Sequence, residues 1–170
     1  MSGYGRVRVR REITEAAPER CHRAWIELED LLRGTVAGLR GQAARKRLAL
    51  RLSMPPDLPV VRGDAEQLLQ FFAALFSAAI EDTPDGGQVS LDVERGEGCA
   101  IVLSIAGSGN GVSREEIEVV AGLFARFGSL EIDSAAGPET RVTLRWPRER
   151  WRAAPRALAV APNFLVKTGI

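Results

Sequence analysis

Residues 58–94 read LPVVRGDAEQLLQFFAALFSAAIEDTPDGGQVSLDVE. Asp64 stands just before an apolar run and Gln67 follows it by three residues, the pattern of a helix N-cap and its capping-box partner. The helix opened in this way runs through Glu81. Its apolar residues Leu68, Leu69, Phe71, Phe72, Leu75, Phe76 and Ile80 occupy nearly every face. Such a helix has to be central and buried. Thr83-Pro84-Asp85-Gly86-Gly87 ends it, since proline removes a donor and fixes φ, and glycine pairs favour turns. Gln88 to Glu94 then alternates polar and apolar residues, which is strand periodicity.

Beyond Glu94, Cys99 to Ala106 (CAIVLSIA) reads as a second strand, with Arg95-Gly96-Glu97-Gly98 as the hairpin turn. Ser113 and Glu116 form a capping-box pattern for a helix to about Phe127. Glu115, Glu116 and Glu118 are then charges near a helix start rather than catalytic carboxylates. Leu130 to Ser134 and Arg141 to Trp146 are the last strands, turned at Ala136-Gly137-Pro138. On the other side of the opening stretch, Met54 to Pro59 is a proline-rich turn. Leu48, Leu50 and Leu52 mark a strand before it. Trp25, Leu28, Leu31, Leu32, Val36 and Leu39 recur at helical spacing, over a helix to about Lys46. Arg45-Lys46-Arg47 suits the negative end of that helix dipole. Thr14 to Pro18 is a break. Arg6 to Ile13 (RVRVRREI) alternates again, with one apolar and one basic face. The order predicts a two-layer α/β sandwich, a mixed sheet covered by helices on one face.

The chain has 170 residues, 45% hydrophobic and 26% charged, with a net charge of +1. That is the composition of one soluble domain able to bury its own core. The near-zero charge gives no electrostatic case for nucleic acid, and no aromatics interleave with the basic clusters. The longest apolar run, Leu68 to Ile80, is too short and too interrupted to be inserted in a membrane. Cys21 and Cys99 have no metal-ligand spacing and form no disulfide framework, so a reduced, cytoplasmic setting is expected. A single histidine, His22, excludes a His-rich metal site and most His-based triads, and Gly107-Ser108-Gly109 does not read as a nucleophile elbow. No catalytic and no metal-ligating residue is assigned. Asp92 and Asp133 have no evident partner.

Trp25 to Pro147 resembles the ATP-binding domain of sensor histidine kinases, the GHKL or Bergerat fold. Three stretches carry the resemblance in the family's order: Leu58 to Glu94, Gly107 to Ser113 (GSGNGVS) and Gly128 to Pro147 (GSLEIDSAAGPETRVTLRWP). The resemblance implies a nucleotide site with two helix asparagines holding Mg²⁺ and phosphate, a basic residue one turn later, an adenine-reading aspartate, two glycine boxes and a lid. Aligned on Thr83-Pro84 and Gly86-Gly87, the sequence has Ala74 and Ala78 at the asparagine positions. Glu81 replaces the basic residue and Gly107 the aspartate. Gly109 and Gly111 are kept. Only about 16 residues separate Gly111 from Gly128, too few for a lid and a second glycine box.

Each lost charge-assisted bond removes roughly 1.5–3 kcal/mol, whereas a micromolar affinity amounts to only about 8 kcal/mol. The expectation is a degenerate domain with a vestigial pocket at Ala74, Ala78, Glu81, Gly107, Gly109 and Gly111, and no cofactor. It would act as a non-catalytic module of a two-component system. Its partner would be a receiver or kinase domain, and a homo-oligomer is compatible with this. Two alternatives stand beside it: a diverged kinase domain that still binds Mg-ATP and supports phosphotransfer to a histidine, and a small-molecule sensor using the vestigial pocket.

Residues 1–24 form a strand arm in this reading, 25–147 the ATPase-like domain and 148–170 a tail. His22 has too few residues before it for a phosphoacceptor hairpin and reads as a surface or helix-start residue. The basic face at Arg6, Arg8, Arg10 and Arg11 reads as a solvated edge strand. The tail carries Trp151, Leu158, Val160, Phe164, Leu165 and Val166, too apolar to be left in water. It is expected to fold back onto its own domain, with the space of the missing lid as one place for it, or to pack on a second copy; the alternative is a frayed end that leads into a downstream domain.

Overall fold

Alternation and helical spacing account for most of the architecture in the computed structural model, which describes residues 7–11, 24–109, 114–124, 129–134, 139–153 and 163–166. The elements are β1 (Val7–Arg11), β2 (Ala24–Glu27), α1 (Leu28–Arg45), β3 (Ala49–Ser53), β4 (Val60–Gly63), α2 (Ala65–Asp82), β5 (Gln88–Arg95), β6 (Ala100–Gly107), α3 (Arg114–Phe124), β7 (Ser129–Ser134), β8 (Glu139–Arg145), β9 (Trp151–Arg152) and β10 (Asn163–Val166). Seven strands form one mixed sheet in the order β1-β7-β8-β6-β5-β3-β10. Among the described residues its only parallel pair is β3 with β5; the hairpins and both edges are antiparallel. The helices cover one face, α1 over β3, α2 over β6, and α3 over β1 and β7.

α2 is the centre of the core. Asp64 caps it as expected, its Oδ1 accepting the Gln67 N–H at 3.1 Å. Leu68, Phe71, Phe72, Leu75, Phe76 and Ile80 are all buried, and only Leu69 among its large apolar residues is exposed. The sheet supplies the floor. Leu50 and Leu52 of β3, Val89, Leu91 and Val93 of β5, and Leu103 and Ile105 of β6 point into the core, while Ala49 and Arg51 face water. Period-two alternation thus sorts the residues as the sequence predicts.

Four short strands depart from the expectation. Trp25 belongs to β2 and not to the first helix, which starts at Leu28. β2 pairs antiparallel with β4, with Trp25 opposite Arg62, and β4 pairs with β9, with Val61 opposite Trp151. The Arg152 guanidinium lies 3.8 Å from the Trp25 ring centroid. These strands of two to four residues have too little local periodicity to be seen before their partners are known.

The tail also differs from the expectation of a lid. Its described residues pair with strands: β9 joins the small sheet, and β10 adds to β3 at the sheet edge opposite β1. Trp151 is buried, its ring 6.1 Å from Trp146, which meets Phe124 edge-on at 5.1 Å. Phe124 in turn lies 4.9 Å from Phe71. This chain of rings ties the tail to α2 and α3.

At the other edge, β1 sets Arg8 opposite Asp133 and Arg10 opposite Glu131 of β7. Cys21, His22, the Thr14–Pro18 break, Gly111, the Ser113 cap, the Ala136-Gly137-Pro138 turn, and Leu158 and Val160 lie outside the described residues.

Candidate functional site

On α2, residues 74, 78 and 81 follow at i, i+4 and i+7, so they share one face. α3 runs back along that face. The two helices leave a cleft of about 370 Å³ lined by Ala74, Ser77, Ala78, Glu81, Glu115, Glu116, Val119 and Val120. Three of the six residues expected at a vestigial pocket are therefore brought together here. Alanines and valines form its walls, and carboxylates from both helices stand at one end. No lysine or arginine lines it among the described residues.

Glu81 is held from the α1 side. The Gln42 side-chain amide donates to Glu81 Oε1 at 3.2 Å and to Ser77 Oγ at 2.9 Å. Gln42 thus spans from α1 to α2 and orients the carboxylate with hydrogen bonds rather than neutralising it. Lys46, the residue that follows α1, is engaged elsewhere. Its ammonium donates to the backbone carbonyls of Ile80 and Glu81. It complements the C-terminal end of α2, not of its own helix as the sequence suggested.

Gly107 and Gly109 do not line the cleft. They let the chain leaving β6 lie directly against the end of α2. A Cβ on Gly107 would come within 2.8 Å of Thr83 Oγ1, itself buried and donating to the Ala79 carbonyl at 2.7 Å. A Cβ on Gly109 would collide with the Asp82 carbonyl and carboxylate. The close approach that glycine permits is here to the protein's own helix end.

The cleft does not fit a magnesium nucleotide as the resemblance would have it. Ala74 and Ala78 present no oxygen to a cation. Glu81, Glu115 and Glu116 would meet a triphosphate with like charge. No cluster of three potential ligands suited to a metal ion exists among the described residues. Sequence reasoning missed the contribution of α3. Glu115 and Glu116 were legible as charges near a helix start, but nothing local tells that this turn comes to rest beside Ala78 and Glu81. Ser77 was visible as a polar residue in an apolar helix; Gln42, its partner, carried no signal.

No family model matches the chain. Among curated proteins it is similar to the cell-division control histidine kinase PdhS of Brucella canis, 28% identical over 106 residues, which is 62% of this chain and 10% of that protein. The chain thus spans about a tenth of the length of the curated relatives it matches. Among solved structures it is similar to full-length ShkA in complex with AMPPNP, with a TM-score of 0.65 and 20% identity over 83% of this chain and 34% of that one. The nucleotide-free catalytic domain of histidine kinase ThkA gives a TM-score of 0.62 at 14% identity, covering 75% of this chain and 97% of that one. A structure of ThkA with the response regulator TrrA also matches, with a TM-score of 0.60 and 16% identity over 75% of this chain and 42% of that one. The fold is that of the histidine kinase catalytic domain, a mixed sheet under three helices.

Proposed function

We propose that this chain is a degenerate ATP-binding domain of the histidine kinase type, serving two-component signalling as a non-catalytic interaction module. One observation carries the reading: the α2–α3 cleft, where the fold would place a nucleotide, is walled by Ala74 and Ala78 and edged by Glu81, Glu115 and Glu116. A triphosphate needs cationic and donor groups there. Without them the phosphates would give up their hydration for no partner, at a cost of about 1–3 kcal/mol per unsatisfied group. Several such costs exceed what stacking an adenine could offset.

The partner in this reading is another two-component protein, a receiver or kinase domain. Its support is by analogy, from the likeness to PdhS and from the ThkA neighbour seen with a response regulator. The module needs no cofactor. Among the described residues no helix is long and apolar enough to cross a membrane.

Calorimetric titration with Mg-ATP and Mg-ADP tests the reading. The expected result is no heat of binding at millimolar nucleotide. A dissociation constant below about 100 μM, worth roughly 5.5 kcal/mol, would return the chain to the nucleotide-binding kinase domains.

A further inference from the structure

The described residues expose three large apolar side chains, Leu69, Val119 and Leu123, at 40%, 65% and 37%. All three lie on the two helices that form the cleft. Val119 lines it directly, and Leu123 is one turn further along α3. Exposed aliphatic residues scattered singly need no explanation, and Leu69, on another face of α2, is one of these, but Val119 and Leu123 continue the apolar wall made by Ala74, Ala78 and Val120. The small side chains of Ala74 and Ala78 leave room between the helices for a large side chain from outside. The acidic end, with Glu81 oriented by Gln42, is charged alike throughout its described lining.

We infer that the α2–α3 cleft receives a basic amphipathic helix of a partner protein. An apolar residue would enter between Ala74, Ala78 and Val120, with a second apolar residue one turn away resting on Val119 and Leu123. Lysine or arginine at the adjoining turn would meet Glu81 and Glu115. Helix-in-groove recognition uses this i, i+4 anchor spacing, and the charge complementarity selects a basic occupant over an acidic one. The inference rests on the reading of the cleft as one that nucleotide does not fill.

The test uses the ¹⁵N-labelled full chain and two synthetic helical peptides of about 18 residues, long enough for four turns. Both carry leucines at i, i+4 and i+7. One is flanked by lysines, the other by glutamates at the same positions. The expected result is that the lysine peptide shifts the amides of Ala74, Ala78, Val119 and Leu123, and binds at least about tenfold more tightly than the glutamate peptide. Its affinity should fall as salt is raised. The variant E81Q/E115Q/E116Q should bring the two peptides to within about threefold of each other. Val119→Asp should abolish the cleft shifts while the rest of the spectrum stays unchanged. Equal binding of both peptides, shifts confined to other surfaces, or no shifts at millimolar peptide would each overturn the proposal. Titrating the same sample with Mg-ATP keeps the two readings apart. Nucleotide shifts would sink the nucleotide-free reading whatever the peptides do, and silence toward both ligands would sink only the docking proposal.

Discussion

The ammonium of Lys46 lies 2.6 Å from the carbonyl oxygen of Glu81, and it reaches the Ile80 carbonyl as well. The residue just past the end of α1 thereby satisfies the last turn of α2, which has no basic residue of its own there. A cation at a helix C-terminus is favoured by the dipole and by the orphan carbonyls. Two helices distant in sequence are locked at their ends by one side chain.

Replacing Lys46 by methionine keeps the aliphatic stem and removes the donors. With Lys46 partly exposed, the expected loss is about 1 kcal/mol. Denaturant unfolding should show it, and the difference from the parent should shrink as salt is raised. A variant as stable as the parent at every ionic strength would show that the contact contributes nothing.

Phe72 and Phe76 are fully enclosed on α2, their ring centroids 5.9 Å apart. Either Phe→Ala change should cost roughly 3–5 kcal/mol, because the surrounding core relaxes only in part around the cavity. Equilibrium urea unfolding gives the number directly. A loss under about 1 kcal/mol at both positions would contradict the core described above.

Restoring an aspartate at Gly107 is the obvious attempt to rebuild an adenine contact. The structure predicts that it fails locally, since the new Cβ meets Thr83 Oγ1 and disturbs its bond to Ala79. Gly107→Asp should lower stability by about 1–3 kcal/mol through this crowding. Combining it with Thr83→Ala should recover part of the loss. Thermal denaturation of the two variants and the double variant measures the coupling, and strict additivity would count against the contact.

Truncation after Pro147 removes the buried Trp151 and the strand that pairs with β3. Trp151→Ala alone should cost roughly 3–5 kcal/mol if its burial is complete, and somewhat less at its observed 6% exposure. The truncated chain should therefore melt well below the parent. An unchanged melting temperature would mean that the tail lies on the domain without supporting it.

The sequence by itself determined the long elements and one wall of the cleft. Asp64 and Gln67 set the start of α2, the apolar residues on nearly all its faces placed it at the centre, and Thr83-Pro84 ended it. Alternation in residues 88–94 and 99–106 gave the central hairpin. Ala74, Ala78 and Glu81 were identifiable because helical spacing alone puts them on one face. Only the tertiary structure decided what stands opposite that face. It brought Glu115 and Glu116 to the cleft, turned Gln42 onto Ser77 and Glu81, and set Gly107 against Thr83. It also recruited Ala24–Glu27, Val60–Gly63, Trp151–Arg152 and Asn163–Val166 into strands. The physical reason is the same in each case. Capping and periodicity act within a few residues of the chain, whereas a short strand or a helix-to-helix contact is stabilised by a partner many residues away.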